Sequence, residues 1–265
     1  MAVRWQVAAA GLTAGLLLAG CGGSGGGGAT PGPSSPPSSS SAQPTPTDRS
    51  PHGVLLSAQL VLHDARRAEF RSTLGGERAK GALFWAPKTV LQYRPDTETR
   101  QLIVLDTSAY LGGDPDTAAR LGGPHWQKYV AKDIPYAGLA DRLNPLVAAT
   151  AAAAAAQPEL VGDEKLQDST VHHYRAVLSA ARYAAAQTQL TPARRQALET
   201  ALGPGDVVLD LWLNDHDQLV QLRRAAADVD TIAYTEFGAS SLSVQAPAEA
   251  DVQDAGTATP PPVPG

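Results

Sequence analysis

The sequence predicts an α+β domain with helices on one face of a large antiparallel sheet. Short apolar and β-branched runs recur about every 8 to 12 residues between residues 68 and 131, a spacing typical of an antiparallel meander. Two helical patterns that start with proline and one strongly alternating hairpin follow this region. Strands grouped in this way with a few helices favour one sheet that buries a single face under helices.

The N-terminal residues have the layout of a secretory signal. Arg4 supplies a positive charge near the start, residues 7–19 form an apolar stretch, and small residues precede Cys21. This stretch is too short for a comfortable transmembrane helix, which favours a cleaved signal.

Residues 18–21, Leu-Ala-Gly-Cys, resemble the bacterial lipobox. The resemblance implies that residues 1–20 are a lipoprotein signal peptide and that Cys21 receives a diacylglyceryl group when the signal is removed. A lipidated Cys21 would anchor the protein to the extracytoplasmic side of the cell membrane, since two acyl chains bind a membrane stably. Two alternatives stay open: an ordinary secretory signal with a chance cysteine, and a buried structural thiol.

Composition divides the rest of the chain into three parts. Residues 21–50 hold the lipidated cysteine and a Gly/Ser/Pro tract, which predicts a disordered tether with a reach of about 30 Å. Residues 248–265 predict a disordered tail for the same reason. Residues 51–247 are left as one domain with a sizeable core, and the single cysteine excludes a disulfide within the chain. The abundance of Gly, Pro, Ala and Arg suggests an actinobacterial origin.

The first half of the domain is predicted to be a helix followed by strands. Four apolar residues fall on one stripe of a helix over residues 52–67, at Val54, Ala58, Val61 and Ala65. The next runs are rich in β-branched and aromatic residues, and most are closed by glycine or proline. They lie at 68–76, 81–87, 89–95, 100–113 and 125–131.

The middle of the domain changes to a helical pattern. Asn144 and Pro145 are typical of an N-cap and a first helical position, and residues 146–157 are almost all alanine or other helix formers. We expect a helix that packs closely on the sheet and ends at Pro158, with low-complexity drift as the alternative. Residues 162–180 return to strand character.

A second helix and a hairpin follow. Thr191 and Pro192 begin the helix, and the Gly-Pro pair after residue 202 ends it. Residues 206–226 alternate as a hairpin, and residues 231–247 supply a last strand or pair of strands. The first strand of the hairpin places four apolar side chains on one face, those of Val207, Leu209, Leu211 and Leu213.

The second half of the domain resembles the LppX/LprA/LprF/LprG-type lipoproteins of actinobacteria, which belong to the LolA/LolB-like group. The resemblance rests on a strand with Thr170 and Tyr174, a hairpin with Trp212 and Asp215, and a closing Gly238. Pro247 ends the matching segment, and the first half of the domain resembles these proteins in layout alone.

This resemblance implies a curved antiparallel half-barrel whose concave face is covered by helices, with an apolar cavity between the two. In the family, such a cavity carries acyl chains or glycolipids, so a lipid, a glycolipid or a lipidated partner is the expected ligand. We expect six side chains to line it: Leu91, Ile103, Leu105, Leu209, Leu211 and Leu213. The alternative is a non-catalytic interaction or sensor module of the cell envelope whose cavity has collapsed.

No sequence motif indicates catalysis, a cofactor or nucleic-acid binding. Phosphate-loop, dinucleotide and nucleophile-elbow patterns are missing from the sequence, and a net charge of −5 provides no basic footprint. His172 and His173 are adjacent in a predicted strand, so their side chains should lie on opposite faces and cannot share a metal. Asp215, His216 and Asp217 are expected to form a solvated turn. We therefore expect a protein that is not an enzyme; an envelope hydrolase would need a nucleophile beside His173.

Overall fold

The structure, a computed structural model, describes residues 48–256 and 258–262; the predicted signal peptide, Cys21 and most of the predicted tether lie outside them. The helices are α1 (Pro51–Ala65), α2 (Pro115–Leu121), α3 (Ala137–Leu143), α4 (Pro145–Ala153), α5 (Ala180–Ala185) and α6 (Pro192–Leu202). The first six strands are β1 (Arg67–Leu74), β2 (Glu77–Phe84), β3 (Val90–Pro95), β4 (Gln101–Leu105), β5 (Ser108–Gly112) and β6 (Trp126–Val130). The other six are β7 (Glu159–Leu166), β8 (Ser169–Ser179), β9 (Asp206–Leu213), β10 (Leu219–Ala225), β11 (Val229–Thr235) and β12 (Val252–Asp254).

These twelve strands form one sheet in the order β12-β6-β5-β4-β3-β2-β1-β11-β10-β9-β8-β7. Every neighbouring pair is antiparallel except β12 and β6. The sheet is open rather than closed, which confirms the predicted α+β class and the curved half-barrel with helices on its concave face. The six consecutive strands from β1 to β6 are the predicted meander.

Four of the helices begin in the same way, with a polar N-cap followed by proline. The cap side chain accepts a hydrogen bond from a backbone N–H of the first turn, which satisfies a donor that has no partner inside the helix. The four pairs are Ser50–Pro51, Asp114–Pro115, Asn144–Pro145 and Thr191–Pro192. The predicted starts of α4 and α6 are therefore confirmed, although α4 ends at Ala153 rather than at Pro158.

Three short helices were not predicted from the sequence. Helices α2 and α3 have seven residues each and α5 has six, about two turns or less. A periodic apolar pattern needs a window of about 11 to 18 residues to be recognised, so these helices leave no clear signal. Their positions matter, because α3 forms one wall of the pocket described below.

Helices α1 and α4 pack together over the sheet. The inward side of α1 is apolar, and its side chains Val54, Leu55 and Leu62 are at most 1% exposed. Four of the nine α4 residues are completely buried alanines. Because alanine carries a single methyl group, the backbone of α4 can approach α1 and the sheet closely. The core side chains then fill the space between the helices and the sheet.

Residues 249–254 form regular secondary structure, although residues 248–265 were predicted to be disordered. A 3-10 helix covers Glu249–Asp251, and β12 then pairs parallel to β6 at the edge of the sheet. The Asp251 carboxylate accepts a hydrogen bond of 2.9 Å from the backbone N–H of His125. The prediction was wrong for this part, because backbone pairing to an open edge strand needs no apolar side chains and leaves no trace in composition.

Gly81 lies where two strands approach too closely for a side chain. A Cβ at this position would lie 1.8 Å from the carbonyl oxygen of Gln92 on the neighbouring strand. We expect Gly81→Ala to lower the free energy of unfolding by about 1–3 kcal/mol, as other overpacked substitutions do. Urea unfolding measures this loss. Gly205→Ala is the matched control, because a Cβ there meets no atom within 4 Å; equal losses for the two variants would contradict the explanation.

Candidate functional site

Four of the six predicted cavity residues lie together in the core. Leu209, Leu211 and Leu213 project from β9 towards the helices, and each is 0% exposed. Leu91 on β3 belongs to the same apolar cluster. The structure thus brings these four side chains onto one face of the sheet, where they pack against other core residues.

Ile103 and Leu105 lie on the opposite face of the sheet, which corrects the predicted grouping. In the β3–β4 pair, Leu91 is opposite Val104, whereas Ile103 is opposite Gln92. Residues opposite each other share a face, so Val104 lies on the same face as Leu91. Ile103 and Leu105, the sequence neighbours of Val104, point to the other face. The sequence shows the alternation within a strand but not the register between strands, and a shift of one residue reverses the face.

None of the six predicted residues lines any of four pockets formed by residues 48–256 and 258–262, two of which are described below. The space between sheet and helices in their region is occupied by core leucines and the α4 alanines. The role of Leu91, Leu209, Leu211 and Leu213 as a lipid-cavity lining stays a prediction.

One pocket combines an apolar wall with buried charges, and we call it the helical pocket. Its volume is about 150 Å³, and it lies between α3, α6 and the ends of β10 and β11. The apolar wall consists of Ala137 and Gly138 of α3 with Ala197, Leu198, Ala201 and Leu202 of α6. The polar lining consists of Asp141, Arg142, Arg194, Arg224, Asp228 and Asp230.

Arg224 and Asp230 form a buried ion pair at this pocket. Both side chains are 3% exposed, and Arg224 Nε donates to the Asp230 carboxylate at 3.1 Å. Arg142 of α3 donates to the same carboxylate through Nε, at 2.8 Å. Burial by itself raises the pKa of Asp230, but the hydrogen bonds from Arg142 and the charge of Arg224 outweigh it, so the pKa lies below the usual 3.8.

A second ion pair joins α3 to α6. Arg194 donates through both Nε and Nη2 to the carboxylate of Asp141, which is 5% exposed. Here burial dominates and raises the pKa of Asp141, although the contact with Arg194 opposes the shift. Two adjacent residues of α3 therefore hold it to different partners, Asp141 to α6 and Arg142 to the sheet. The three arginines and three aspartates of the helical pocket balance in formal charge.

The two adjacent histidines lie on opposite faces of β8, as their spacing predicts. His173 is opposite Trp212, on which its ring stacks at 4.4 Å between centroids. Its Nδ1 lies 2.7 Å from Glu164 and its Nε2 lies 3.0 Å from Asp210. Both ring nitrogens of His173 thus contact carboxylates, those of Glu164 and Asp210. No hydroxyl or thiol of the described residues hydrogen-bonds to His173.

His172 lies on the helix-facing side, where it is opposite Leu213. Its Nδ1 lies 2.7 Å from Asp163 and its Nε2 lies 3.2 Å from Asp215. The hydrogen bond to Asp163 is the main reason that the pKa of His172 is above 6.5. Among the described residues, no group of three or more histidine, cysteine or acidic side chains is arranged to hold a metal ion.

The turn between β9 and β10 is less solvated than expected. Asp217 is only 7% exposed, and its carboxylate accepts hydrogen bonds from Arg49 at 2.9 Å and from Ser57 at 2.6 Å. This turn therefore holds the start of α1 and the residues just before it, a contact that the sequence did not indicate.

Sequence reasoning missed the helical pocket. One signal was present: Arg224 follows Leu222 on the inward side of a strand whose other inward residues are apolar. A charged residue at such a position is expected to be paired and buried. The residues of α3 carried no corresponding signal.

In residues 48–256 and 258–262, no helix has both the length and the apolar composition required to cross a bilayer.

Comparison with known proteins gives matches among solved structures. No protein-family model matches the chain, and no curated protein does. LprF from Mycobacterium bovis is 13% identical with a TM-score of 0.49, over 75% of this chain and 96% of that chain. The lipoprotein LppX from Mycobacterium tuberculosis is 9% identical with a TM-score of 0.47, over 71% of this chain and 95% of that chain. A DUF1329 family protein from Desulfovibrio piger is 10% identical with a TM-score of 0.28, over 73% of this chain and 95% of that chain. LprF and LppX are two of the proteins that the motifs in the second half of the domain resemble.

Proposed function

We propose that this protein is a membrane-anchored extracytoplasmic lipoprotein that binds the hydrocarbon part of a lipid or glycolipid, or of a lipidated partner, at the helical pocket. The observation that carries the proposal is the apolar wall of α3 and α6, which is accessible from solvent through exposed Ala197 and Ala201. An accessible apolar concavity beside fixed polar groups is the usual form of a binding site for an amphiphile.

The size of the pocket limits what it can hold in this conformation. Ligand sites for whole small molecules are commonly about 300–1,000 Å³, whereas this pocket has about 150 Å³. It therefore accommodates the end of one alkyl chain rather than a complete lipid. Entry of a longer chain requires α3 and α6 to move apart, and the Asp141–Arg194 ion pair opposes that movement.

The membrane anchor rests on the N-terminal sequence. Acylation of Cys21 would attach the chain to the cell membrane, and the tether before Pro51 would hold the domain within about 30 Å of the surface. A lipid-binding site at that distance can exchange ligand with the bilayer. No covalent chemistry and no cofactor are part of this proposal.

The experiment blocks the pocket from within α6. We expect Ala201→Trp to weaken binding of the fluorescent fatty acid cis-parinaric acid by about tenfold or more, which corresponds to 1.4 kcal/mol or more. The mature chain from residue 21, with Cys21→Ser, is titrated and its fluorescence followed. Gln196→Trp is the control, because this exposed residue lies on α6 outside the pocket lining. Absence of binding by the unblocked protein, or equal binding by both variants, would overturn the proposal.

The second candidate is a non-catalytic interaction or sensor module of the cell envelope. One observation favours it: the region of the predicted cavity is filled, with Leu91, Leu209 and Leu213 all at 0% exposure. Native mass spectrometry of the same mature chain separates the two functions. A co-purified lipid that disappears in Ala201→Trp supports the carrier, and a protein that never carries lipid supports the module.

A further inference from the structure

Three cationic side chains lie side by side on the outer face of the sheet. In the pairing of β1, β2 and β3, Arg71 is opposite Lys80, and Lys80 is opposite Arg94. All three side chains are exposed and point away from the helices. Like charges directly opposite each other on neighbouring strands are destabilising, so this arrangement requires an explanation.

No Asp or Glu side chain forms an ion pair with these three residues. Every Asp and Glu of the chain lies between residues 48 and 254, all within the described residues, so no acidic side chain is left outside them. The ion pairs there use other cations. Within the part of the chain that the structure describes, their one side-chain hydrogen-bond partner is Gln101, whose amide oxygen accepts from Arg94 Nε at 3.0 Å.

Protection against edge-to-edge aggregation does not account for the row. Charged side chains often serve that purpose on edge strands. Strands β1, β2 and β3 lie in the middle of the twelve-stranded sheet, with neighbours on both sides. Their backbone groups are already paired, so cations are not needed there to prevent pairing with another chain.

The three cations line a pocket, which we call the outer-face pocket. Its volume is about 370 Å³, and the segment that follows β11 forms one of its walls with Ser241, Leu242 and Ser243. The turn between β7 and β8 contributes Gln167. These residues add hydroxyl and amide donors to the cationic floor, and the volume is in the usual range for a ligand site.

We propose that the outer-face pocket binds a phosphate group. Its lining has three cations, and Glu69 is its one carboxylate, which leaves two positive charges. A phosphate monoester carries about −1.5 to −2 at neutral pH, which matches this excess. The planar guanidinium groups of Arg71 and Arg94 can each donate two parallel hydrogen bonds to phosphate oxygens, and Lys80 between them supplies a point charge. The bound anion would also remove the repulsion along the row.

The test compares two triple variants of the mature chain from residue 21, both with Cys21→Ser. The first, R71Q/K80Q/R94Q, removes the row. The second, R120Q/K132Q/R182Q, removes the same formal charge at exposed positions outside the pocket. Inorganic phosphate and glycerol 3-phosphate are titrated by calorimetry at low ionic strength. Vesicles of phosphatidylglycerol in phosphatidylcholine are tested in parallel by co-sedimentation.

We expect the row variant to bind at least about tenfold more weakly than the control variant, because it loses several charge-assisted hydrogen bonds. Binding of the soluble phosphates identifies a free phosphate compound as the ligand, and binding of the vesicles alone identifies a phospholipid head group. Equal binding by the two triple variants, or no binding of either kind of probe by the parent chain, overturns the proposal.

Two further measurements separate a binding role from a structural one. Glu69→Gln should strengthen phosphate binding, because it removes the carboxylate from the pocket. Without phosphate, the row variant should melt at the same temperature as the parent or higher, since like-charge repulsion is relieved. Phosphate should raise the melting temperature of the parent and leave that of the row variant unchanged. A row variant that melts lower and is still raised by phosphate contradicts the proposal.

Discussion

Replacing Asp230 by alanine is expected to lower the free energy of unfolding by about 3–5 kcal/mol, the usual cost of breaking a buried ion pair. The substitution leaves the guanidinium of Arg224 buried at 3% exposure without its carboxylate. It also releases Arg142, and with it an ion pair that holds α3 to the sheet. Urea unfolding followed by circular dichroism measures the loss.

Asp228→Ala is the matched control for this prediction. Asp228 lies two residues away and approaches the same Arg142 at 3.6 Å, but its side chain is 63% exposed. Exposed ion pairs contribute about 0–1 kcal/mol, so the control should unfold almost like the parent. Similar losses for both variants would show that burial of the pair does not matter.

The pH dependence of stability follows from the same carboxyl group. The folded state lowers the pKa of Asp230 below its usual 3.8. The stability that the ionised carboxylate contributes is therefore fully present above pH 3.8 and is lost as the pH falls through the pKa of the folded state. The amide side chain introduced by Asp230→Asn does not titrate. The stability advantage of the parent over this variant should therefore be constant near neutral pH and shrink below about pH 3.8. An advantage that grows on acidification would contradict the assigned shift.

Cys21→Ala is expected to abolish membrane anchoring. If Cys21 is the acylated residue, the variant lacks the diacylglyceryl group, and its signal segment is no longer removed by the lipoprotein route. Fractionation of a bacterial host that expresses the protein, with intact mass measurement of the chain, reports both effects. Cys21 is the only cysteine, so the substitution cannot disturb a disulfide.

A serine-to-alanine change in the tether, Ser24→Ala, serves as the control for this experiment. It alters the sequence three residues after Cys21 and keeps the thiol. We expect this control to carry the lipid mass and to sediment with membranes. A Cys21→Ala protein with the same mass shift as the control would exclude Cys21 as the lipid attachment site.

The strands were predictable because each follows a local pattern. The meander from β1 to β6 and the β9–β10 hairpin alternate in short runs that end at turn residues, and this alternation survives in the structure. The starts of α4 and α6 were predictable for a similar reason, since an N-cap and a proline act within one turn. The short helices α2, α3 and α5 were missed because six or seven residues are too few for a period to be seen.

The grouping of residues across strands was less predictable. Leu91 and Ile103 have the same chemistry, and both lie in apolar runs, yet the β3–β4 register places them on opposite faces. That register depends on how the turn between the strands closes and on which face the helices cover. Neither is encoded within the strand itself.

By itself, the sequence determined the α+β class and the order of the main elements, since each depends on neighbours along the chain. Cleavage and lipidation at Cys21 stay a prediction from the same kind of local pattern. The tertiary structure alone decided the register of β3 and β4, the regular structure of residues 249–254 and the two pockets. The helical pocket joins α3, α6 and β11, and the outer-face pocket joins residues as far apart as Glu69 and Ser243. Side chains so distant in sequence meet only through packing and strand pairing, and no local pattern records such a contact.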